Sequence, residues 1–268
     1  MLTDFLPTTK KEVELRGWDC LDIILFSGDA YVDHSSFAMA IISRVLEANG
    51  YKVCLLCQPD WHNPDSIREY GEPRLGFLVS AGNMDSMVNH YPANKRLRSD
   101  DAYSPNGQPG FRPDRATIVY SKILRELFPK VPIVIGGIEA SLRRVTHYDY
   151  WDDELKPCIL QDCHADLLIY GMGELPLKSI VTEMKRGKKV SDLTYIPQTA
   201  YIAHKDAIPE SEDESFTLFS HHECLKDKMK QAKNYRVVEE ESNKLKARRL
   251  LQGVDKDHVV VINPPFPP

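Results

Sequence analysis

Residues 21–57 read LDIILFSGDAYVDHSSFAMAIISRVLEANGYKVCLLC, and this stretch decides the fold. It opens on a short apolar run, Leu21 to Phe26, and closes on a second, Val53 to Leu56, each the length of a buried strand. Between them Phe37, Ile41, Ile42, Val45 and Leu46 fall at helical spacing and form one apolar stripe. A strand, a helix and a strand in that order predict a parallel crossover, because the chain must return along the sheet before it can pair in the same direction. Further runs at Leu75 to Val79, Pro132 to Ile135 and Asp166 to Tyr170, with a helical stripe of Ile118, Ile123, Leu124 and Leu127, continue the pattern. The alternation predicts the α/β class: a doubly wound, Rossmann-like, mostly parallel sheet of about five strands in the flavodoxin-like order 2-1-3-4-5, with helices on both faces.

The bulk composition fits a globular chain. Its 268 residues are 42% hydrophobic and 27% charged, so a large core can form. A formal net charge of -5 gives no electrostatic footprint for nucleic acid. The first residues, MLTDFLPTTKKEVELRGW, hold no signal-peptide core, and no apolar run reaches the roughly 18 to 20 residues that span a bilayer. A cytoplasmic location, with no membrane partner and the six cysteines reduced, is the expectation.

Asn94 to Arg115, with three prolines and two glycines, reads as a long excursion from the sheet, after which Pro113 and Asp114 suit a helix start. Beyond Tyr201 the composition shifts. PESEDES is turn-like, and His222 to Leu251 has no Gly or Pro and predicts one long, mostly solvated helix stopped at Gly253. His258 to Ile262 is a sixth strand-like run ahead of a final NPPFPP that closes no element. The expected organisation is therefore a Rossmann-like domain over residues 1–210, a charged C-terminal helical extension over 211–256, and a passage over 257–268.

In an open parallel sheet, ligands bind beyond the carboxyl ends of the strands. Here those ends carry Gly28 and Asp29, Gly136, Gly137 and Glu139, and Gly171, Gly173 and Glu174. Asp33 and His34 precede the first long helix, and Asn83, Asp85 and His90 occupy the corresponding place after the third strand. The run His147-Tyr148-Asp149-Tyr150-Trp151-Asp152-Asp153, with Arg143 and Arg144 upstream, combines an imidazole, aromatics and carboxylates able to stack a planar ligand or move protons. These residues are the candidate lining of a cofactor or substrate crevice. The same Gly, Asp and Asn residues also make the turns and caps that any such fold needs, and the aromatic run could instead pack on the core. Gly171-Met172-Gly173 does not extend to a dinucleotide fingerprint, since Pro176 stands where the third glycine belongs. Cys54 and Cys57, three apart in a strand, point to opposite faces, and Cys158, Cys163, Cys20 and Cys224 are scattered. No metal ligand and no catalytic residue are assigned in this chain.

Several longer stretches carry a resemblance. SGDAYVDHSSFAMAIISRVLEANGY, SAGNMDSMVNHY, RPDRATIVYSKILRE, GGIEASLRRVTHYDYWDD, ADLLIYGMGELPL and VVVINPP, from Phe5 onward nearly the whole chain, resemble YgiQ-type radical SAM proteins in the region ahead of their catalytic barrel. The resemblance implies a following barrel, joined in cis after Asn263-Pro264-Pro265, whose C-x-x-x-C-x-x-C motif holds a 4Fe-4S cluster that binds S-adenosylmethionine and acts on a small-molecule substrate. That motif is missing from these residues, so the chain looks like the accessory front part of such an enzyme, without a cofactor of its own and not catalytic alone. The region also resembles cobalamin-binding domains. The D-x-H-x-x-G loop that supplies a lower imidazole ligand is missing, because Asp33 and His34 are adjacent. An independent cobalamin-like binding module and an inactive truncated piece are the alternative expectations.

Overall fold

The structure, a computed structural model, describes residues 4–266. Its strands are β1 (Ile23–Ser27), β2 (Val53–Cys57), β3 (Gly76–Ser80), β4 (Ile133–Ile135), β5 (His147–Asp149), β6 (Glu154–Lys156), β7 (Leu167–Ile169), β8 (Thr199–His204), β9 (Ser215–Thr217), β10 (Arg249–Gly253) and β11 (His258–Ile262). Its helices are α1 (Lys10–Leu15), α2 (Ala38–Ala48), α3 (Asp65–Arg68), α4 (Ser86–His90), α5 (Ala116–Leu127), α6 (Gly137–Leu142), α7 (Ile159–Cys163), α8 (Glu174–Lys185), α9 (His221–Lys226) and α10 (Lys228–Ser242).

Among the described residues, nine strands form one sheet in the order β2-β1-β3-β4-β7-β8-β11-β10-β9, and β5 pairs with β6 alone. β2, β1, β3, β4 and β7 are parallel, and numbered among themselves they give 2-1-3-4-5 as expected. The sheet is larger than the five strands expected. β8, β11 and β10 continue it in antiparallel fashion, with β9 parallel on the edge, so the sheet runs on past residue 210.

Side chains alternate across the sheet. Ile24, Phe26, Cys54 and Leu56 face the layer holding α5, with Tyr120 and Leu124, whereas Ile23, Val53 and Leu55 face the layer holding α2 and α8, with Leu46, Leu177 and Ile180. β1 is buried along its whole length because helices cover both faces, which is why it reads as an unbroken apolar run.

The C-terminal region departs from the single helix expected over His222 to Leu251. It breaks at Asp227, which ends α9 and whose carboxylate caps α10 by accepting from the Met229 amide at 2.9 Å. One stripe of α10, Gln231, Asn234, Val238 and Glu241, is buried. Its amides are used in the body: Gln231 donates to the Thr146 carbonyl at 2.8 Å, and Asn234 both donates to and accepts from the Phe219 backbone. Arg249 to Gly253 is a strand, not a helix end, because it pairs with β11. The side-chain amide of Asn263 donates to the Thr194 and Ile196 carbonyls, and Tyr170 donates to the Asn263 carbonyl at 2.6 Å. This fixes the passage after β11; the last two prolines of NPPFPP lie outside the described residues.

Candidate functional site

At the ends of β1 and β3 the chain builds a buried clamp. Arg112, from the long excursion, is completely buried and sits between Asp29, at 2.9 Å, and Asp101, at 3.0 Å, while also donating to the Ala81 carbonyl. Asp29 further accepts from the Asn83 amide at 2.6 Å. Burial pushes the Asp29 carboxyl above its ordinary value, although the Asn83 amide and Arg112 oppose it. Burial acts on Asp101 in the same direction, but the Tyr103 amide and Arg112 outweigh it and hold its carboxyl low. Two glycines are required for this approach. A Cβ on Gly28 would lie 2.2 Å from the Ala81 oxygen, and one on Gly82, at φ +108°, would lie 2.1 Å from an Asp29 carboxylate oxygen. Gly28 and Asp29 are therefore packed into the clamp that closes this end of the sheet.

Asp33, His34 and Asn83 fasten the entry to α2. Asp33 pairs with Arg44, the His34 Nδ1 accepts from the Ser36 amide at 3.1 Å, and Asn83 accepts from the Ala38 amide while donating to the Ser36 carbonyl. His34 is exposed. Glu139, in the first turn of α6, is buried and accepts from the Ser86 amide at 2.8 Å, the Ser86 hydroxyl at 2.5 Å and the Thr117 amide at 3.0 Å. One carboxylate thus serves the amides that open α4 and α5 and have no partner within their own helices. The second of these helices begins at Ala116, with Arg115 left-handed before it, rather than at Pro113 and Asp114 as expected. The carboxylate of Asp114 goes instead to His90 Nδ1, at 2.6 Å, and the Tyr91 hydroxyl, at 2.8 Å.

Gly136, Gly137, Gly171 and Gly173 line a narrow slot of about 90 Å³ between the sheet and the layer of α2 and α8. Glu174 lies in the first turn of α8. Arg144 donates to the Ser141 carbonyl at 2.6 Å and lies over the Tyr170 ring, 4.9 Å from its centroid; burial lowers its pKa.

A second cavity, about 650 Å³, brings together Asp85, Arg143, His147, Tyr148, Asp149 and Trp151 of the expected residues. Asp85 caps α4, accepting from the Met87 and Val88 amides, and its other oxygen pairs with Arg143. Asp149 accepts from the Trp151 and Asp152 amides and from Arg115 at 3.0 Å, which holds the turn of the β5–β6 hairpin. Burial, with the nearby Arg143 charge, pushes His147 down to about 4, so the ring is neutral at pH 7. Its Nδ1 lies 3.3 Å from the Val145 carbonyl.

Sequence reasoning passed over two aromatics of this cavity. Tyr91 stacks on Trp151 with ring centroids 4.1 Å apart, and Tyr235 arrives from α10, while Tyr150 joins them from the aromatic run. Neither Tyr91 nor Tyr235 had a local signal. Arg112 was also passed over, since a single Arg in a Pro- and Gly-rich loop gives no sign of burial.

The cysteines do not suit an iron-sulfur cluster. Cys54, Cys158, Cys163 and Cys224 are buried, Cys57 is half-buried and Cys20 is exposed. Burial pushes the thiols of Cys54, Cys57, Cys158 and Cys163 up to about 12, against the thiolate that ligation needs. Among the described residues no three His, Cys, Asp or Glu side chains converge to hold a metal ion. No helix among them is long and apolar enough to cross a membrane.

A doubly wound α/β domain whose carboxyl edge opens into an aromatic cavity is the class that this fold and site define. The model of the radical SAM N-terminal family matches residues 5–268, and the chain belongs to that family. It is 56% identical over 281 residues to a UPF0313 protein of Bacteroides thetaiotaomicron, covering 100% of this chain and 45% of that one. A UPF0313 protein of Clostridium botulinum (strain 657 / Type Ba4) is 46% identical over 265 residues, covering 99% and 41%. The chain thus spans less than half the length of these curated relatives. Among solved structures, the radical S-adenosylmethionine methyltransferase TsrM of Kitasatospora setae aligns at 18% identity with a TM-score of 0.45, covering 67% of this chain and 28% of that one. A likeness of that size assigns nothing to this chain.

Proposed function

We propose that this chain is the N-terminal accessory part of a radical SAM enzyme and that its carboxyl edge forms one wall of the substrate crevice. The observation that carries the reading is the direction of the chain. β11 runs antiparallel to β8, and β8 antiparallel to β7, so the polypeptide leaves β11 at the same edge onto which the strands β1, β3, β4 and β7 open. The elements that follow β3, β4 and β7 carry exposed apolar side chains: Val88 in α4, Ile138 and Leu142 in α6, Met172 in the loop after β7 and Leu175 at the start of α8. Polypeptide that follows β11 therefore starts beside an apolar surface it can cover.

In this reading the 4Fe-4S cluster and S-adenosylmethionine belong to that following polypeptide, since the thiols of this chain do not fit a cluster. The cofactors supply the radical; the residues described here shape the cavity and exclude water. To test the assignment, the chain and the full-length protein are each reconstituted with iron and sulfide. The full-length protein is expected to develop thiolate-to-iron absorption and to cleave S-adenosylmethionine, and the chain alone to do neither. Both signals from the chain alone would overturn it.

A further inference from the structure

We infer that the 650 Å³ cavity between α4, the β5–β6 hairpin and α10 binds an uncharged, planar aromatic or heteroaromatic group that carries an N–H or O–H donor. The volume is that of a site for a small organic ligand. The lining is aromatic on several sides. Tyr91 and Trp151 form an offset stack, and Tyr148, Tyr150 and Tyr235 are each about half exposed around the opening. Large exposed rings grouped around one concavity are unusual for a surface with no partner, and a planar guest covers them.

The charges of the lining favour a neutral guest. Asp85 is paired with Arg143, and Asp149 with Arg115, so neither carboxylate nor the Arg143 guanidinium is left to meet an ion. Lys95 lies over the Tyr150 and Trp151 rings and donates to the Trp151 carbonyl. Arg98, which also borders the cavity, is exposed, where water and salt screen it.

His147 sets the donor requirement. A ring nitrogen that meets a carbonyl oxygen must carry the proton, so Nδ1, facing the Val145 carbonyl, is the protonated nitrogen of the neutral ring. Nε2 is left with its lone pair as an acceptor. A guest N–H or O–H satisfies it; a guest with only acceptors does not.

The inference rests on the reading of this edge as a substrate crevice. Binding is measured without turnover, so its failure and the failure of the radical SAM assignment are separate results. A naphthol, its methyl ether and the corresponding naphthoate are dialysed to equilibrium at neutral pH against the full-length protein. The naphthol is expected to bind roughly fivefold more tightly than the ether, the difference expected for one neutral hydrogen bond, and the naphthoate more weakly than either. His147→Phe should bring the naphthol to the level of the ether, and Trp151→Ala should weaken all three. Equal binding of naphthol and ether by the unaltered protein, tightest binding of the naphthoate, failure of all three to bind, or binding untouched by Trp151→Ala would each overturn the inference.

Discussion

Arg112→Ala is expected to destabilise the fold by about 3 to 5 kcal/mol, a large part of the stability of an ordinary domain. The guanidinium is completely buried between two carboxylates, Asp29 and Asp101, that are themselves buried. Removing it leaves two like charges in a low-dielectric site without the cation that lies between them. The contrast is Arg44→Ala. Its partner Asp33 and the guanidinium are both partly exposed, and such a pair contributes about 0 to 1 kcal/mol. Urea unfolding of the two variants should differ severalfold in lost stability, and a loss below about 1 kcal/mol for Arg112→Ala would show that the clamp is not what closes this end of the sheet.

Glu139→Ala should have an effect of similar size, about 3 kcal/mol or more, because it strands the Ser86 amide, the Ser86 hydroxyl and the Thr117 amide, each a buried donor. Since Glu139 joins α4 to α5, the loss should also loosen the α4 wall of the cavity. Glu139→Gln keeps one acceptor oxygen but turns an NH₂ toward some of those donors, and should fall between the wild type and alanine. Thermal unfolding of the three proteins gives the order. An alanine variant as stable as the glutamine one would mean that the carboxylate is not the shared acceptor.

The parallel half of the sheet is legible in the sequence because each strand is buried on both faces and reads as an unbroken apolar run between helical stripes. β1, β2 and the crossover through α2 follow from local pattern alone. The antiparallel half is not legible in the same way. β10 follows a Lys- and Glu-rich helix without a Pro or Gly break before it, and only its pairing with the distant β11 makes Arg249 to Gly253 a strand. The buried stripe of α10 is hidden for a related reason: Gln231 and Asn234 are polar, and what buries them is a set of backbone partners far away in the chain.

The site divides along the same line. His147, Tyr148, Asp149 and Trp151 are adjacent and chemically distinctive, so the cavity shows in the sequence. Asp33, Asn83 and Glu139 look the same whether they cap a helix or meet a ligand, and the structure uses them to fasten helix starts. Arg112, Tyr91 and Tyr235 reach their positions only through the tertiary fold.

Oxidative footprinting of methionines tests most directly whether the carboxyl edge faces catalytic polypeptide. Met172 is 80% exposed on that edge, and the half-buried Met184 lies near the opposite end of α8. In the full-length protein Met172 should be oxidised several times more slowly than in the 268-residue chain, with Met184 unchanged. Equal oxidation of Met172 in both, or protection of Met184 instead, would contradict the assignment of this edge as the crevice wall.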